Sequence, residues 1–462
     1  MDIKEILSNP QGAEAIIAAL KEKHIVLRPW KTAKGLQREY DPTLHPVMDK
    51  SIYPDTVEKD GRLVPITRIT YNWQQLAVKR MTELVCGIPV QRLYKPENDK
   101  QKQVAEWIEN IFQRNRINAV NVDRLNKLFA GCEIFTLWYG VEQSNNIYGF
   151  QSKIKLRCQT FSPMLGDRLY PLFDEYGDMI AFSIEYVRKV KGRNVTYFDA
   201  YTDEKHIQWC NSGNGFEEQK NEDITVGKIP GSYQFRPTPI WEDTSSIVFE
   251  SEFAMSRNGY YLRKNSKPLF VVFADEQIKY GDEGDENDGK GVLQYPKGSS
   301  AAYVTWQQAV DNLKFYVNEL RNSFFTQLQL PDWSYEKMSQ QAMSGESRKQ
   351  LFIDSQLKVK DESGRLLEFF DREVNVVKAF LKGMAPKGYE ADIDALPVEN
   401  VITPFSITDD KDTITNLVTA NGGRPIMSQR ESIEEYGHSK DVDQTMKEIQ
   451  EESVQNAFPA FE

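Results

Sequence analysis

The sequence predicts an α+β protein of several domains, and three observations carry that expectation. The first is a proline-free run between Pro331 and Pro386 whose apolar residues recur at helical spacing. The second is the stretch from Gly131 to Cys210, where β-branched and aromatic runs alternate with Asp, Gly and Asn turns. The third is size: 462 residues, 40% hydrophobic and 11% aromatic, give material for two to four packed domains.

Residues 1–24 read as one or two short helices, with AEAIIAALKEK the better segment. Residues 28–65 hold Pro29, Pro42, Pro46, Pro54 and Pro65, which predicts an irregular arm packing on a neighbouring domain or subunit. ITYNWQQLAVKRMTELVC reads as a helix stopped by Gly87, IPVQRLY as a strand, and 100–114 and 118–130 as helices. GCEIFTLWYGVE, SKIKLRCQTF, DMIAFSIEYVRKV, NVTYFDAYT and KHIQWC then form a mostly antiparallel sheet. Helices first and strands after them is the α+β layout. Residues 211–232 read as a polar loop or hairpin, and IPGSYQFRPTPIW as a joint marked by prolines.

Two helices then bracket a small β element. The first spans 241–267, with Gly259 a weak point in its interior. PLFVVFADEQIKY and GVLQYPKGSSAAYVTW read as strands on either side of the charged loop GDEGDENDGKG. The second helix, 305–328, sets Trp306, Val310, Leu313, Val317, Leu320 and Phe324 at alternating spacings of four and three, a seam for helix packing.

A polar loop, LPDWSYEKMSQQAMSG, leads into the long helix. Its stripe is Phe352, Val359, Leu366, Phe370, Val374, Val377 and Leu381. With Ser344 as N-cap, Glu346 near the positive end and Gly383 as the stop, about 40 residues span roughly 60 Å. Few compact domains need that length, so the helix is expected to cross an elongated or assembled object. Beyond Pro386 come a connector and three short helices within 409–423, 427–437 and 440–455, the first two ended by glycine.

Composition excludes several classes of function. The net charge of −11 sits almost wholly in residues 386–462, which hold 16 acids against 6 bases, a net of −10. A protein that grips DNA tightly carries a basic excess, and this chain has none. No apolar run reaches the ~18 residues of a membrane span. The N-terminus lacks a signal-peptide layout, so a cytoplasm-like compartment and no membrane partner are expected. Cys86, Cys132, Cys158 and Cys210 are dispersed and read as buried free thiols; His24, His45, His206 and His438 are equally scattered. No metal and no cofactor is expected. The triplet NVT at 194–196 matches a glycosylation sequon without a secretion signal to support it.

Motif by motif, catalysis finds no foothold. Gly284–Gly291 fits GxxxxGK, but Gly291 stands where Ser or Thr would hold Mg²⁺, and Asp285, Glu286 and Asp288 would repel phosphates. Read as a calcium loop it puts Gly284 at the first ligand and Tyr295 at the last, so it reads as a hairpin tip. Ser344–Gly345 lacks the GxSxG frame of a nucleophile elbow. Arg257, Arg263, Lys264 and Lys267 gather among tyrosines in SRNGYYLRKNSK. That mix can meet nucleic-acid phosphates, and it equally suits a solvated helix end.

The order of elements, with KIPGSYQFRPTP, LPDWSYEKMSQQAMSGESRKQLF and GGRPIMSQRESIEEYG as local text, resembles portal proteins of tailed bacteriophages over about residues 65–460. The resemblance implies a non-enzymatic ring, a dodecamer, with an axial channel for double-stranded DNA. It implies a wing at 1–240, stem helices at 241–267 and 305–329, and a clip at 268–304. A tunnel loop follows at 330–345, then a long helix returning to the wing at 346–385 and an acidic helical crown at 386–462. Trp333, Ser334, Tyr335, Lys337, Gln340, Gln341, Ser344, Arg348 and Lys349 are then the residues at the channel, with Arg257, Arg263, Lys264 and Lys267 as basic stem positions. Few deep phosphate contacts would ease sliding.

The implied partners are copies of the chain, DNA in transit, a large terminase that supplies the hydrolysis, major capsid and scaffolding proteins, and a head-completion or tail adaptor. The implied place is the portal vertex of a virion assembled in the host bacterial cytoplasm. Gly259 and Gly364 depart from what straight helices want. Two other readings stay open from the residues alone: a DNA-processing enzyme with a degenerate loop at 284–291, and another multimeric head or tail component that never touches DNA.

Overall fold

A computed structural model describes residues 3–8, 10–22, 31–57, 61, 63–264, 269–273, 300–304, 310–330, 332, 352–405, 428–436 and 442–457. The chain divides into two units, 1–332 with 354–405, and 333–353 with 406–462. The described helices are α1 (Ile3–Leu7), α2 (Ala13–Glu22), α3 (Ala33–Tyr40), α4 (Trp73–Cys86), α5 (Asp99–Arg114) and α6 (Ile117–Gly131). They continue with α7 (Ser245–Lys264), α8 (Val310–Leu328), α9 (Ile353–Met384), α10 (Glu390–Ala395), α11 (Gln429–Tyr436) and α12 (Val442–Ala457).

Antiparallel strands build two main sheets in the first unit. Its early strands are β1 (Thr56–Val57), β2 (Leu63–Val64), β3 (Gln91–Tyr94), β4 (Glu133–Asn145) and β5 (Ser152–Phe161). Then come β6 (Arg168–Phe173), β7 (Met179–Val190), β8 (Arg193–Tyr201), β9 (Lys205–Asn211), β10 (Phe216–Asp223) and β11 (Gly231–Phe235). The last are β12 (Leu269–Phe273), β13 (Ser300–Val304) and β14 (Val398–Val401). The larger sheet runs β10-β9-β8-β7-β6 and the smaller β11-β4-β5; β1–β2, β12–β13 and β14–β3 are pairs. The α+β class expected from the sequence is the class observed.

Period-2 alternation sends the two faces of β8 to different cores. Phe198 and Ala200 pack with Trp209 against Ile17 and Leu20 of α2. Tyr201 joins Ile184, Phe161 and Tyr233 between the two sheets, where Phe135 and Phe182 stack at 3.7 Å. The third core lies where α9 crosses α5 and β4, with Ile108, Phe112, Trp138, Val374, Val377 and Leu381. The stripe expected along the long helix is buried from Val359 through Leu381.

At the centre of that crossing sits a buried ion pair. Arg124 of α6 donates to both oxygens of Glu373 at 2.6 and 2.7 Å. Trp138 Nε1 donates to Glu373 Oε1 at 3.0 Å, and Arg124 also reaches Thr136 Oγ1 at 3.3 Å. The guanidinium lies over the rings of Phe369 and Phe370, a placement that suits its flat, weakly hydrated cation.

The arm before α4 packs on α7 of the same chain. His45 Nδ1 meets Glu252 Oε1 at 2.7 Å with both side chains fully buried. His45 Nε2 faces the Glu39 carbonyl at 2.9 Å, and the backbone N–H groups of Tyr71 and Ile69 donate to Glu252 and Ser256. A Cβ on Gly259 would lie 3.0 Å from Thr67 Cγ2. Gly259 therefore makes room for the arm, and α7 runs through it unbroken. Gly364 likewise interrupts nothing in α9, and open space surrounds it.

Several elements differ from the sequence reading. The arm contains α3, with Thr32 accepting from Gly35 N as its N-cap. β6 was not expected; it carries Pro171, tolerated because β6 is an edge strand. Of the two readings of the polar stretch after β9 the hairpin is the one observed, with β10 as its edge strand, whereas the proline-marked joint holds β11, which pairs with β4 from Gly231↔Leu137 to Phe235↔Glu133. The connector after Pro386 forms α10 and β14, the latter paired with β3. Cys86 and Cys132 are buried, whereas Cys158 and Cys210 are only partly so. The loop at 284–291 lies outside the described residues.

In the second unit, α11 opens with a reciprocal capping box. Glu431 N donates to Ser428 Oγ, and Ser428 N donates to the Glu431 carboxylate. Arg430 pairs with Asp443 of α12 at 2.8 Å. The first of the three expected C-terminal helices, within 409–423, lies outside the described residues.

Removing one partner of the central pair strands a buried charge. Arg124→Met should lower unfolding free energy by about 3–5 kcal/mol, measured by urea titration. Adding Glu373→Leu should recover a substantial part of that loss. A double variant no more stable than Arg124→Met would contradict the strong coupling.

Candidate functional site

The structure describes the end of α8 and the start of α9, the two helices on either side of the polar segment in the sequence. Phe324 and Phe325 near the end of α8 are buried and meet edge to face, and Phe324 packs on Trp73 at 5.2 Å between ring centroids. α8 then stops on Gln329 at φ +54°, the left-handed residue that commonly follows a helix end. Leu330 N turns back to Phe325 O at 3.1 Å, and Leu330 is buried. Arg321 holds Asp332 at 3.0 Å.

The returning helix supplies what the end of α8 lacks. The last carbonyls of a helix have no partner within it. Ser355 Oγ of α9 donates to Gln329 O at 2.9 Å, and Lys358 Nζ donates to Leu328 O. A cation at this end also suits the negative pole of α8. One turn further, Glu362 accepts from Arg236 at 2.8 Å. Arg236 is buried, and its backbone N–H donates to Cys132 O at 2.6 Å.

Burial pushes the Lys358 amine down to about 8, and Arg236 adds to the fall while Glu362 and Asp243 oppose it. The Arg236 guanidinium is lowered by the same burial, with Glu362 opposing. Two cations are thus held in a shielded junction where the segment leading into α7, the end of α8 and the start of α9 converge.

Of the residues singled out in the sequence, Trp333, Ser334, Tyr335, Lys337, Gln340, Gln341, Ser344, Arg348 and Lys349 lie outside the described residues, as does Lys267. Arg257 is exposed on α7 and lies over the Tyr261 ring at 6.0 Å. Arg263 is exposed near the end of the same helix. Six residues apart, they point about 120° away from each other around the helix. Lys264 closes α7. The geometry does not put Arg257 and Arg263 on one stripe. Among the described residues no group of three His, Cys, Asp or Glu could hold a metal ion, and no helix is long and apolar enough to cross a membrane.

The residue pairs at the roots were not found from sequence. Ser355 and Lys358 look like ordinary polar positions of an amphipathic helix, and their partners are carbonyl oxygens that any residue carries.

The sequence matches the family described as phage portal protein, SPP1 Gp6-like, over residues 22–457. This chain belongs to that family. No curated protein matches it. Among solved structures, a chain in the virion of a native gene transfer agent particle is 11% identical, with a TM-score of 0.41, covering 90% of this chain and 96% of that one. A chain in the neck of an empty gene transfer agent particle, computed with C6 symmetry, is 10% identical at a TM-score of 0.42 with the same coverages. Superposition at that level decides nothing about function; the family match does, and the chain is a portal protein.

The pH response of this portal subunit follows from Lys358. Its folded amine titrates near 8 against 10.5 for the unperturbed group. Between those values the unfolded chain binds more protons, so stability rises with pH. The penalty for the buried cation is complete below about 8 and fades above it. The melting temperature of the wild type should therefore climb relative to Lys358→Met between pH 7.5 and 10. Parallel curves across that range would show that Lys358 is not shielded.

Proposed function

We propose that this portal subunit assembles into a closed ring, a dodecamer, at one vertex of a phage head. Double-stranded DNA enters the head through the axial channel during packaging and leaves by it later. The ring hydrolyses nothing itself. A large terminase docks on it and supplies the energy, and a head-completion or tail adaptor replaces the terminase when packaging ends. Major capsid and scaffolding proteins surround it during assembly in the host bacterial cytoplasm.

The observation that carries this reading is the family match over residues 22–457. Within it, residues 1–240 act as the wing, 241–267 and 305–329 as the stem, and 268–304 as the clip. Residues 346–385 return to the wing, and the acidic residues 386–462 form the crown. The loop 330–345 is assigned to the channel wall, with Trp333, Tyr335, Lys337, Gln340 and Gln341 toward the DNA and Arg348 and Lys349 beside it. A nearly neutral body and an acidic C-terminal region suit a channel through which a polyanion slides, since each firm phosphate contact would add a barrier. Arg257, Arg263, Lys264 and Lys267 would offer the stem only scattered cations.

Shortening the loop by deleting 333–343 tests the assignment. Rings should still form, while the yield of DNA-filled heads in a complementation assay falls by an order of magnitude or more. Wild-type packaging with that deletion would remove the loop from the channel. Lys290→Ala should leave DNA packaging unchanged, because no phosphate-binding role is assigned to the 284–291 loop.

A further inference from the structure

The hairpin end of β7 and β8 stands clear of the sheet that carries it. β6 runs beside β7 only as far as Arg168↔Glu185, and β9 runs beside β8 only as far as Asn211↔Thr196. From Val187 to Val195, among the described residues, the two strands have each other and no further neighbour. Lys191 and Gly192 join them at φ +49° and +82°, a positive pair that suits the right-handed twist of a ribbon. Arg188, Lys189, Lys191 and Arg193 are exposed on this ribbon, which holds no acid from Val187 to Val195. Among the described residues none of the four is in an ion pair, and Arg188 lies over the Tyr186 ring at 4.8 Å. Val187 and Val190 are exposed as well; three apart, they stand on opposite faces.

The far edge of the same sheet is the reverse in charge. β10 pairs with β9 alone among the described strands, so one side of its main chain is unused. Every residue from Glu217 to Asp223 is exposed, and Glu217, Glu218, Glu222 and Asp223 stand there against Lys220. Lys220 lies 3.8 Å from Glu222. Among the described residues Glu217, Glu218 and Asp223 meet no cation.

We propose that these two edges meet between copies of the chain. β10 of one subunit lies along the β7–β8 ribbon of the next, and its carboxylates pair with the ribbon's cations. This rests on the portal reading, in which subunits close a ring, and names two of the faces that close it.

The physics favours that occupant. An isolated two-stranded ribbon is marginal in water, and a third strand is what it lacks. β10 offers eight residues with an open row of N–H and C=O groups. Charge on a free edge keeps like edges apart; here the signs differ, so only the unlike pair meets. The contact is therefore head-to-tail, the kind from which rings are built. Sheet order agrees. In β10-β9-β8-β7-β6 the free edge of β10 and the β7 side of the ribbon, bared where β6 stops, face opposite ways. Two copies side by side bring those edges together, and since neighbours alternate in direction β10 then lies antiparallel to β7. A nucleic acid would use the cations but neither the strand edge nor the two valines.

Two measurements on the full-length protein test the contact. The first needs no substitution. Rings assembled from isotope-labelled and unlabelled chains are treated with a carbodiimide, which joins a lysine amine to an adjacent carboxylate as an amide and takes up the water lost. Mass spectrometry should find Lys189 or Lys191 of one copy joined to Glu217, Glu218, Glu222 or Asp223 of another. In the second, Lys189→Glu/Arg193→Glu and Glu217→Lys/Glu222→Lys should each cut the ring fraction roughly tenfold or more at low salt. Combining them in one chain should restore it. General repulsion predicts the opposite for the β10 variant, which makes the net charge less negative.

Wild-type ring levels in both reversed variants would overturn the proposal, as would a combined variant no better than either. Variants that keep their rings but lose retention of duplex DNA would assign the ribbon to nucleic acid instead. Absence of rings in the wild type would refute the portal reading, and the same cross-links in smaller assemblies would still report on the contact. Neither rings nor cross-links would remove both.

Discussion

Everything downstream in this subunit depends on one buried pair, Arg124 with Glu373. An ion pair without solvent gains little unless both charges are fully bonded. Here the guanidinium makes two short bonds to the carboxylate, Trp138 adds a third donor, and two phenylalanine rings face the cation. These bonds tie α9 to α6 and β4 at one point, with the guanidinium Nε left unpartnered. Fifteen residues separate Glu373 from Lys358, about 22 Å along a helix. Fixing the helix at Glu373 thus fixes where Ser355 and Lys358 meet the end of α8.

The helix pair α7–α8 is held by means other than a large core of its own. The arm crosses α7 at Gly259, and the His45–Glu252 pair sits beneath it with no exposed side-chain surface. Both ring nitrogens of His45 are engaged, Nδ1 with Glu252 Oε1 and Nε2 with the Glu39 carbonyl. Along α8, Tyr316 donates to Glu250 of α7, and Phe324 closes against Trp73. Much of the pair's order comes from polar contacts at its ends and along one side.

What was legible in the sequence was local. The stripe from Val359 to Leu381 declares itself by period, because helical geometry repeats every few residues and burial follows it. The strands from β4 to β9 were marked by their turns, with β6 the exception, since Pro171 argues against any strand except one at an edge. β10, read as part of a polar loop or hairpin, forms the hairpin arm beside β9, since an edge strand needs no apolar face outward. β11 is five residues among prolines, and its partner β4 ends the chain's first helical stretch about a hundred residues earlier. Pairings over such separations have no local signature. The same holds for Arg124 with Glu373 and for Lys358 with Leu328. Ser428 and Glu431, within the GGRPIMSQRESIEEYG text, form a capping box that was not read from the sequence.

The portal family fixes the class of this chain, and its physical signature is self-association with a hole at the centre. A ring needs two different faces of the same subunit to fit each other. Native mass spectrometry of the purified protein, read beside negative-stain images, measures both properties at once. The expected result is one dominant species at a large whole-number multiple of the 53.3 kDa chain, seen as rings with a central channel. A population of 53.3 kDa monomers with no ring at any concentration or salt would contradict it.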